Sequence, residues 1–443
     1  MKTPIVDFVK KYSKSHTVRL HMPGHKGKKF LGLEKLDITE INGADVLNNA
    51  GGIIKESQQN AATLFDSAAT YYSAQGSTTV IKAMLALALE NCGPNPSVLA
   101  GRNAHKAFIY ACALLDVNVS WLFGDSGNIC ECNITPEYLE NYLKNTKTLP
   151  NAVYVTSPDY LGNMLNIKGL AQICKNYNIP LVVDNAHGAY LRFLKDAQHP
   201  INLGAAMCCD SAHKTLPVLT GGAYLHIAKG YEHYVASAEK YLALFSSTSP
   251  SYLVLQSLDF ANKYLGGEYK NQLQKCVQKV HNLKGFLRQK GYKLIGTEPL
   301  KITVNIAEIG YTADEFYNKL KCCKIEPELC SDNIAVFMFT PQNNGLNFIK
   351  LKSFFGRLEH KNPINNQPLG SNISQQKLSI RKAMLSSSES VLALKAEGRV
   401  LASPTVSCPP AVPILISGEL VTKQAIQLFK RYNIEKIDVV KDN

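Results

Sequence analysis

VVDNAHG at residues 182–188 and SAHK at residues 211–214 are the two stretches of sequence that decide the fold. Apolar runs lead into them, at Pro180–Asp184 and at Ala205–Cys209, and short runs of this kind are typical of buried parallel strands. In open α/β sheets, ligands bind at the carboxyl ends of the strands. We therefore predict that neighbouring strands carry an amine, a carboxylate and two imidazoles to one edge of a sheet.

The rest of the chain fits around this sheet. From about Tyr71 onward, short strands alternate with helices, which predicts a mostly parallel α/β sheet covered by helices on both faces. We divide the chain into an N-terminal arm and loop at 1–60, a large domain at 61–290 and a smaller α+β C-terminal domain at 291–443. The proline-rich segment at 407–419 is predicted to be neither a helix nor a central strand.

Lys214 and Asp184 are the strongest candidates for chemistry. Alone, each has a plain explanation, because most lysines are solvated and an aspartate after an apolar run often caps a helix. Together they provide what a pyridoxal phosphate site requires. The amine can hold the aldehyde as an imine, and a buried carboxylate can keep the pyridine nitrogen protonated.

Three further motifs belong to the same predicted edge. Ser77 and Thr78 follow Gly76 at the start of a helix, which suits a phosphate, although a serine or threonine there is more often a plain cap. His105 starts the next helix and could stack on a cofactor ring or move protons, or simply cap the helix. His187 follows the Asp184 strand and could hold the cofactor or the substrate.

Composition limits the class of protein. The chain has 443 residues and a net charge of +13, but its lysines are spread along the whole length, which argues against a polynucleotide partner. No apolar run reaches the roughly 20 residues of a bilayer span, and the N-terminus lacks the apolar core of a signal peptide. We predict a cytoplasmic protein with neither a nucleic-acid nor a membrane partner.

The cysteines do not indicate a metal site. Twelve are present, but none has CxxC spacing, so we interpret them as small buried apolar residues. His21 and His25 are four residues apart, yet Pro23 and Gly24 between them argue against a helix. We predict no metal.

The ordered motifs together resemble the Orn/Lys/Arg decarboxylases, group III pyridoxal phosphate-dependent decarboxylases with the aspartate aminotransferase fold (fold type I). The resemblance covers almost the full length and looks like a short form. It includes LHMPGHKG at 20–27, GST at 76–78, RNAHK at 102–106, TSP at 156–158, VDNAHG at 183–188, SAHKT at 211–215 and STSPSY at 247–252.

The resemblance implies an activity, a cofactor and a set of site residues. A basic amino acid would lose carbon dioxide and give the corresponding polyamine-type amine, in a homodimer or a multiple of dimers. Lys214 would form the internal aldimine, Asp184 would pair with the pyridine nitrogen and His105 would stack on the ring. Four further residues would hold the phosphate, with His187 nearby. They are Ser77, Thr78, Ser211 and His213.

One residue departs from the family pattern. The family usually has a glutamate after the ring-binding aspartate, whereas this chain has Asn185, so a carboxylate is missing there. Two alternatives therefore stay open beside the decarboxylase: a catalytically weak or silent protein that binds pyridoxal phosphate, and an aminotransferase or lyase on the same fold. The sequence does not choose among lysine, ornithine and arginine.

Overall fold

The computed structural model describes residues 1–124, 127–365, 374–406 and 411–441. The strands are β1 (Ala69–Ser73), β2 (Ser97–Gly101), β3 (Asn118–Leu122), β4 (Ala152–Thr156), β5 (Leu181–Asp184), β6 (Met207–Asp210), β7 (Ala223–Ile227), β8 (Leu294–Ile295), β9 (Lys301–Asn305), β10 (Leu329–Ser331), β11 (Ile334–Met338), β12 (Ser388–Leu392), β13 (Thr405–Val406), β14 (Pro413–Leu415) and β15 (Lys436–Val440). The α-helices are α1 (Pro4–Ser13), α2 (Ile53–Phe65), α3 (Ser77–Ala88), α4 (Lys106–Leu115), α5 (Pro136–Asn145), α6 (Ile167–Asn176), α7 (Ala212–Thr215), α8 (Val235–Phe245), α9 (Tyr252–Leu265), α10 (Tyr269–Gln289), α11 (Ala313–Cys322), α12 (Gly345–Arg357), α13 (Ile380–Leu385) and α14 (Lys423–Arg431).

Seven strands form the main sheet, in the order β1-β7-β6-β5-β4-β2-β3. β5 runs parallel to β6, and β2 runs parallel to both β3 and β4, whereas β7 is antiparallel to its neighbours β1 and β6. Every residue of β5, β6 and β7 is buried, as expected for strands covered on both faces. The predicted mostly parallel α/β sheet is confirmed.

The chain divides into two compact units, which we call the first and the second unit. The first consists of Met1–Asn91 and Ile167–Leu273, and the second of Cys92–Asn166 and Gln274–Asn443. The first unit contains β1, β5, β6 and β7 with helices α1, α2, α3 and α6 to α9. The domain boundaries predicted at 60 and 290 stay a prediction.

The second unit contains the smaller sheets. β8 to β11 form an antiparallel sheet in the order β10-β11-β9-β8. In the chain, α11 lies between β9 and β10, and α12 follows β11. This arrangement confirms the predicted α+β character of the C-terminal part. Within the proline-rich segment at 407–419, β14 pairs only with the two-residue β13, so it is not a central strand, and residues 407–410 lie outside the described part of the chain.

None of the helices in the described ranges combines the length and apolar character that crossing a bilayer requires.

Candidate active site

The ends of β5 and β6 lie side by side and carry the first unit's candidate residues. Asp184 is the last residue of β5 and is in register with Cys209 of β6. The backbone N–H of Asn185 then donates to the carbonyl of Cys209 at 3.0 Å, which continues the pairing by one residue. The turn after β5 and the short helix after β6 therefore start at the same edge of the sheet, as predicted.

Lys214 and His187 come together at this edge. Ser211 precedes α7, and the backbone N–H of Lys214 donates to the carbonyl of Ser211 at 3.0 Å. The amine Nζ of Lys214 lies 3.1 Å from Nε2 of His187, which is buried, while Lys214 is half-buried. Because an ammonium group can only donate, Nε2 is the acceptor and the pair can exchange a proton.

Asp184 lies beneath the turn, only 2% exposed. Its Oδ1 accepts hydrogen bonds from the backbone N–H of Ala186 at 3.1 Å and from the thiol of Cys209 at 3.3 Å. These two donors fix the side chain at the end of β5. A buried carboxylate held in this way is suited to pair with a protonated ring nitrogen.

The start of α3 provides a place for an anion. Gly76 precedes the helix with a φ of +75°, a left-handed conformation that glycine adopts without strain, and no side chain in the described residues caps the helix. Ser211 Oγ donates to Ser77 Oγ at 2.9 Å, which joins the helix start to the Lys214 segment, and Thr78 is exposed. The first-turn N–H groups and these hydroxyls suit a phosphate.

His213 uses one of its ring nitrogens within the protein. Its Nδ1 donates to the carbonyl of Gly222 at 3.0 Å, so Nε2 is the nitrogen left for a ligand. Burial lowers the pKa of His213, and the Gly222 carbonyl only partly offsets this, while the charge of Lys214 lowers the pKa further. That His213 binds phosphate stays a prediction.

His105 belongs to the second unit, where it caps α4. Its Nδ1 accepts from the backbone N–H of Ala107 at 3.1 Å, which is the capping role that the sequence left open. Stacking of His105 on a cofactor ring stays a prediction, as do the roles assigned to Ser77, Thr78, Asp184, His187, Ser211 and Lys214.

Sequence reasoning missed a buried charged cluster next to this edge. Asp210 ends β6, and its Oδ2 lies 3.0 Å from Nε2 of His199 and 3.2 Å from Nε2 of His226, all three residues being fully buried. Its Oδ1 accepts from Nδ2 of Asn185 at 2.6 Å. Burial raises the pKa of Asp210, but the two imidazoles outweigh burial and hold that pKa well below its usual range.

The signal for this cluster was weak. Asp210 ends the apolar strand β6 and His226 lies within the apolar strand β7, where a buried charged group needs a partner. His199 lies in a loop, and its sequence position does not predict that it contacts Asp210. Position 185 itself carries no carboxylate, but the Asn185 amide donates directly to the carboxylate of Asp210.

The first unit therefore fits pyridoxal phosphate. It offers an amine with an adjacent imidazole, a fixed buried carboxylate, and an uncapped helix start with hydroxyls beside it. A Cβ built on Gly76 would meet no atom nearer than 4.0 Å, so there is open space at the helix start.

Comparison with known proteins agrees with this fit. Residues 3–302 match the family model described as Orn/Lys/Arg decarboxylase, major domain. The uncharacterized protein YaaO of Bacillus subtilis (strain 168) is 28% identical over 97% of this chain and 94% of its own length. An arginine decarboxylase of the same organism is 26% identical, over 97% of this chain and 93% of its own length.

A solved structure shares the fold. The lysine decarboxylase LdcF of Francisella novicida superposes with a TM-score of 0.83 at 16% sequence identity, over 99% of this chain and 81% of that one. The family predicted from the motifs and the predicted fold type I are thus both confirmed. The chain belongs to the Orn/Lys/Arg decarboxylase family, and it is a pyridoxal phosphate-dependent amino-acid decarboxylase.

Proposed function

We propose that the chain decarboxylates a basic amino acid, arginine, lysine or ornithine, to the corresponding polyamine-type amine. The observation that carries the proposal is the contact of 3.1 Å between Lys214 Nζ and His187 Nε2 at the edge of the sheet. Arginine is the first candidate, because the Bacillus subtilis relative aligned over 97% of this chain is named an arginine decarboxylase.

Each candidate residue has a place in this proposal. Lys214 would hold the cofactor through its amine, Asp184 would pair with the ring nitrogen and His105 would stack on the ring. When bound, pyridoxal phosphate supplies a ring that accepts the electron pair left by the departing carboxylate. The phosphate would be held at the start of α3 and by the Lys214 segment, through Ser77, Thr78, Ser211 and His213.

The protein's own task is to handle protons and charge. A protonated Lys214 is not a nucleophile, so its Nζ must lose a proton before it can react with an aldehyde. His187 Nε2 is within hydrogen-bond distance of that atom and can take the proton. Asp184 stays fixed by Ala186 and Cys209 throughout, so its charge is preorganised for a cationic ring nitrogen.

One observation argues for the decarboxylase over a silent cofactor-binding protein. Its motive was the carboxylate missing at position 185. Asp210 places a carboxylate oxygen 2.6 Å from the Asn185 amide, and the two buried imidazoles keep Asp210 in its charged form. The site therefore retains a negative charge next to the turn that carries His187.

We include in this proposal that the chain acts in the cytoplasm and forms a homodimer. The dimer is supported by a set of exposed apolar side chains in the N-terminal segment, of a kind that a second copy of the chain would cover. Sedimentation of the purified protein tests the dimer. These side chains are Val18, Leu20, Met22, Phe30 and Leu31.

The experiment that tests the function is a product assay. The purified chain is incubated with pyridoxal phosphate and, separately, with L-arginine, L-lysine and L-ornithine, while carbon dioxide and the amine are measured. The proposal expects carbon dioxide and an equal amount of one amine. A keto acid in place of carbon dioxide would establish an aminotransferase, and a yellow protein that leaves all three amino acids intact would establish a silent binder.

A further inference from the structure

The side chain of Asn185 links the turn that carries His187 to the neighbouring strand β6. Asn185 is fully buried, and its Nδ2 donates to Asp210 at 2.6 Å. The turn also closes on itself, because the backbone N–H of Gly188 donates to the carbonyl of Asn185 at 2.8 Å. Asn185 thus fixes the turn to the end of β6, the strand that leads into Lys214.

The fit around Asn185 leaves no spare room. A Cβ built on Gly188 would lie 2.0 Å from Oδ1 of Asn185, so any other residue at 188 would push the Asn185 side chain away. The φ of Gly188 is −116°, which every residue can adopt. Glycine is therefore required here by contact with Asn185 and not by backbone conformation.

The partner of Asn185 is itself held rigidly. Oδ2 of Asp210 accepts from His199 and His226, which leaves Oδ1 for the Asn185 amide. Because a carboxylate only accepts, His226 must carry its proton on Nε2, and burial lowers the pKa of His226 so that it stays neutral. Its Nδ1 then accepts from the hydroxyl of Thr70 at 2.8 Å.

We propose that Asn185 is a positioning residue: by binding Asp210 it fixes the turn that sets His187 against the amine of Lys214. The inference rests on the proposed function, since it assigns a purpose to the contact between these two side chains. It predicts that the link between Asn185 and Asp210 controls how fast the amine reacts with an aldehyde. The negative charge of Asp210 is then secondary for that reaction.

A metal ion is the competing explanation of the cluster. One possible ligand atom from each of His199, Cys208 and Asp210 lies within 4.8 Å of the others. The hydrogen-bond explanation accounts for both Asp210 oxygens through three N–H donors and needs no ion. It predicts that the purified protein contains no stoichiometric metal.

The test compares three variants of the full chain. N185A breaks the link and keeps the Asp210 charge. D210N removes the charge and keeps the link, because the amide oxygen can accept from Asn185; the new amide nitrogen can donate to the two imidazoles once their protons move from Nε2 to Nδ1. N262A is the matched control, since Asn262 is an equally buried asparagine of the first unit that hydrogen bonds to Ser57 and Tyr72.

Two measurements are made on each protein. The first is the rate at which the metal-free protein captures pyridoxal phosphate, followed by visible absorbance between pH 6 and 9. The second is the free energy of unfolding without cofactor, which separates a damaged fold from a misplaced side chain. Capture requires no decarboxylation, so a wild type that captures the cofactor but releases no carbon dioxide would refute the proposed function and leave this test intact.

The positioning role predicts that N185A captures the cofactor at least fivefold more slowly and shifts the midpoint of the pH profile. D210N should stay within threefold of wild type, and N262A within twofold even though it unfolds more easily. An N185A rate within twofold of wild type would overturn the proposal. So would a D210N rate as slow as that of N185A, or one bound zinc ion per chain.

Discussion

Two buried aspartates in the first unit, Asp210 and Asp259, have pKa values shifted in opposite directions. Both are fully buried. The imidazoles of His199 and His226 hold the pKa of Asp210 well below its usual range. Around Asp259, burial raises the pKa to about 6, although Ser57 Oγ donates to it at 2.6 Å and the backbone N–H of Val6 donates at 3.0 Å.

The difference shows what the surroundings of a buried acid decide. Neutral donors alone do not offset the loss of water, so Asp259 keeps its proton to a higher pH than a solvated aspartate does, and it links α1, α2 and α9. Two imidazoles keep Asp210 charged at the end of β6. The Asp210 arrangement stands next to the candidate site, and the Asp259 arrangement holds helices together.

The largest expected effect is on turnover, and it comes from a residue that belongs to neither aspartate cluster. Lys214→Ala removes the amine that would hold the cofactor aldehyde and should lower turnover by roughly 10³-fold or more. Visible absorbance with pyridoxal phosphate should disappear. The free energy of unfolding without cofactor should change little, since Lys214 is only half-buried. Lys229→Ala, at an exposed surface ion pair with Asp66, is the control that should retain full activity.

Replacing Asp210 should have the largest effect on the free energy of unfolding. Asp210→Leu leaves three buried N–H donors without their acceptor and should lower the free energy of unfolding by about 3–5 kcal/mol. Urea unfolding at pH 7 measures the change. A loss below about 1 kcal/mol would mean that the cluster is not the charged network described above.

The two aspartates should respond to pH in opposite directions. The pKa of Asp259 rises from 3.8 to about 6 on folding, so the folded chain binds its proton more tightly. The stability that Asp259 contributes is therefore complete below pH 4 and falls as the pH rises to about 6. As the pH rises over that interval, the free energy of unfolding of Asp259→Asn should increase relative to that of wild type by at most about 3 kcal/mol.

Asp210 provides the matched comparison. Its pKa falls on folding, so its contribution is present above pH 4 and is lost as the pH drops further. Asp210→Asn should therefore be least stable relative to wild type near pH 7 and approach wild type under acidic conditions. Denaturant titrations of both variants from pH 2 to 7.5 measure this, and parallel profiles would contradict the assigned pKa shifts.

The smallest expected effect concerns the turn after β5. Gly188→Ala places a methyl group against Asn185 and should lower the free energy of unfolding by about 1–3 kcal/mol, with slower cofactor capture. Gly285→Ala in α10 has nothing within 4 Å of its new methyl group and should stabilise the chain by roughly 0.5–1 kcal/mol. Equal effects of the two substitutions on thermal unfolding would show that Asn185 moves freely.

The strands and helices around the site were largely predictable from sequence, because they follow uninterrupted apolar runs. The strand predicted at 180–184 is β5. The prediction at 205–209 was displaced, since β6 begins only at Met207 and extends to Asp210. Residue Gly204 has a φ of +99° and ends a turn, so the alanines after it connect the turn to the strand.

The Asp210 cluster could not be predicted. It depends on the register between β6 and β7, which places Cys208 opposite His226, and on a loop that brings His199 over the end of β6. Register follows from the packing of the whole sheet and leaves no local signal. Lys214 and His187 were named from sequence, but their contact depends on two separate turns.

Locating the cofactor on the chain tests the central claim most directly. The purified protein is mixed with pyridoxal phosphate, reduced with borohydride, digested and mapped by mass spectrometry. The account predicts a single phosphopyridoxyl group on the peptide that contains Lys214. A label on another lysine, or no label on a protein that is folded and metal-free, would contradict it.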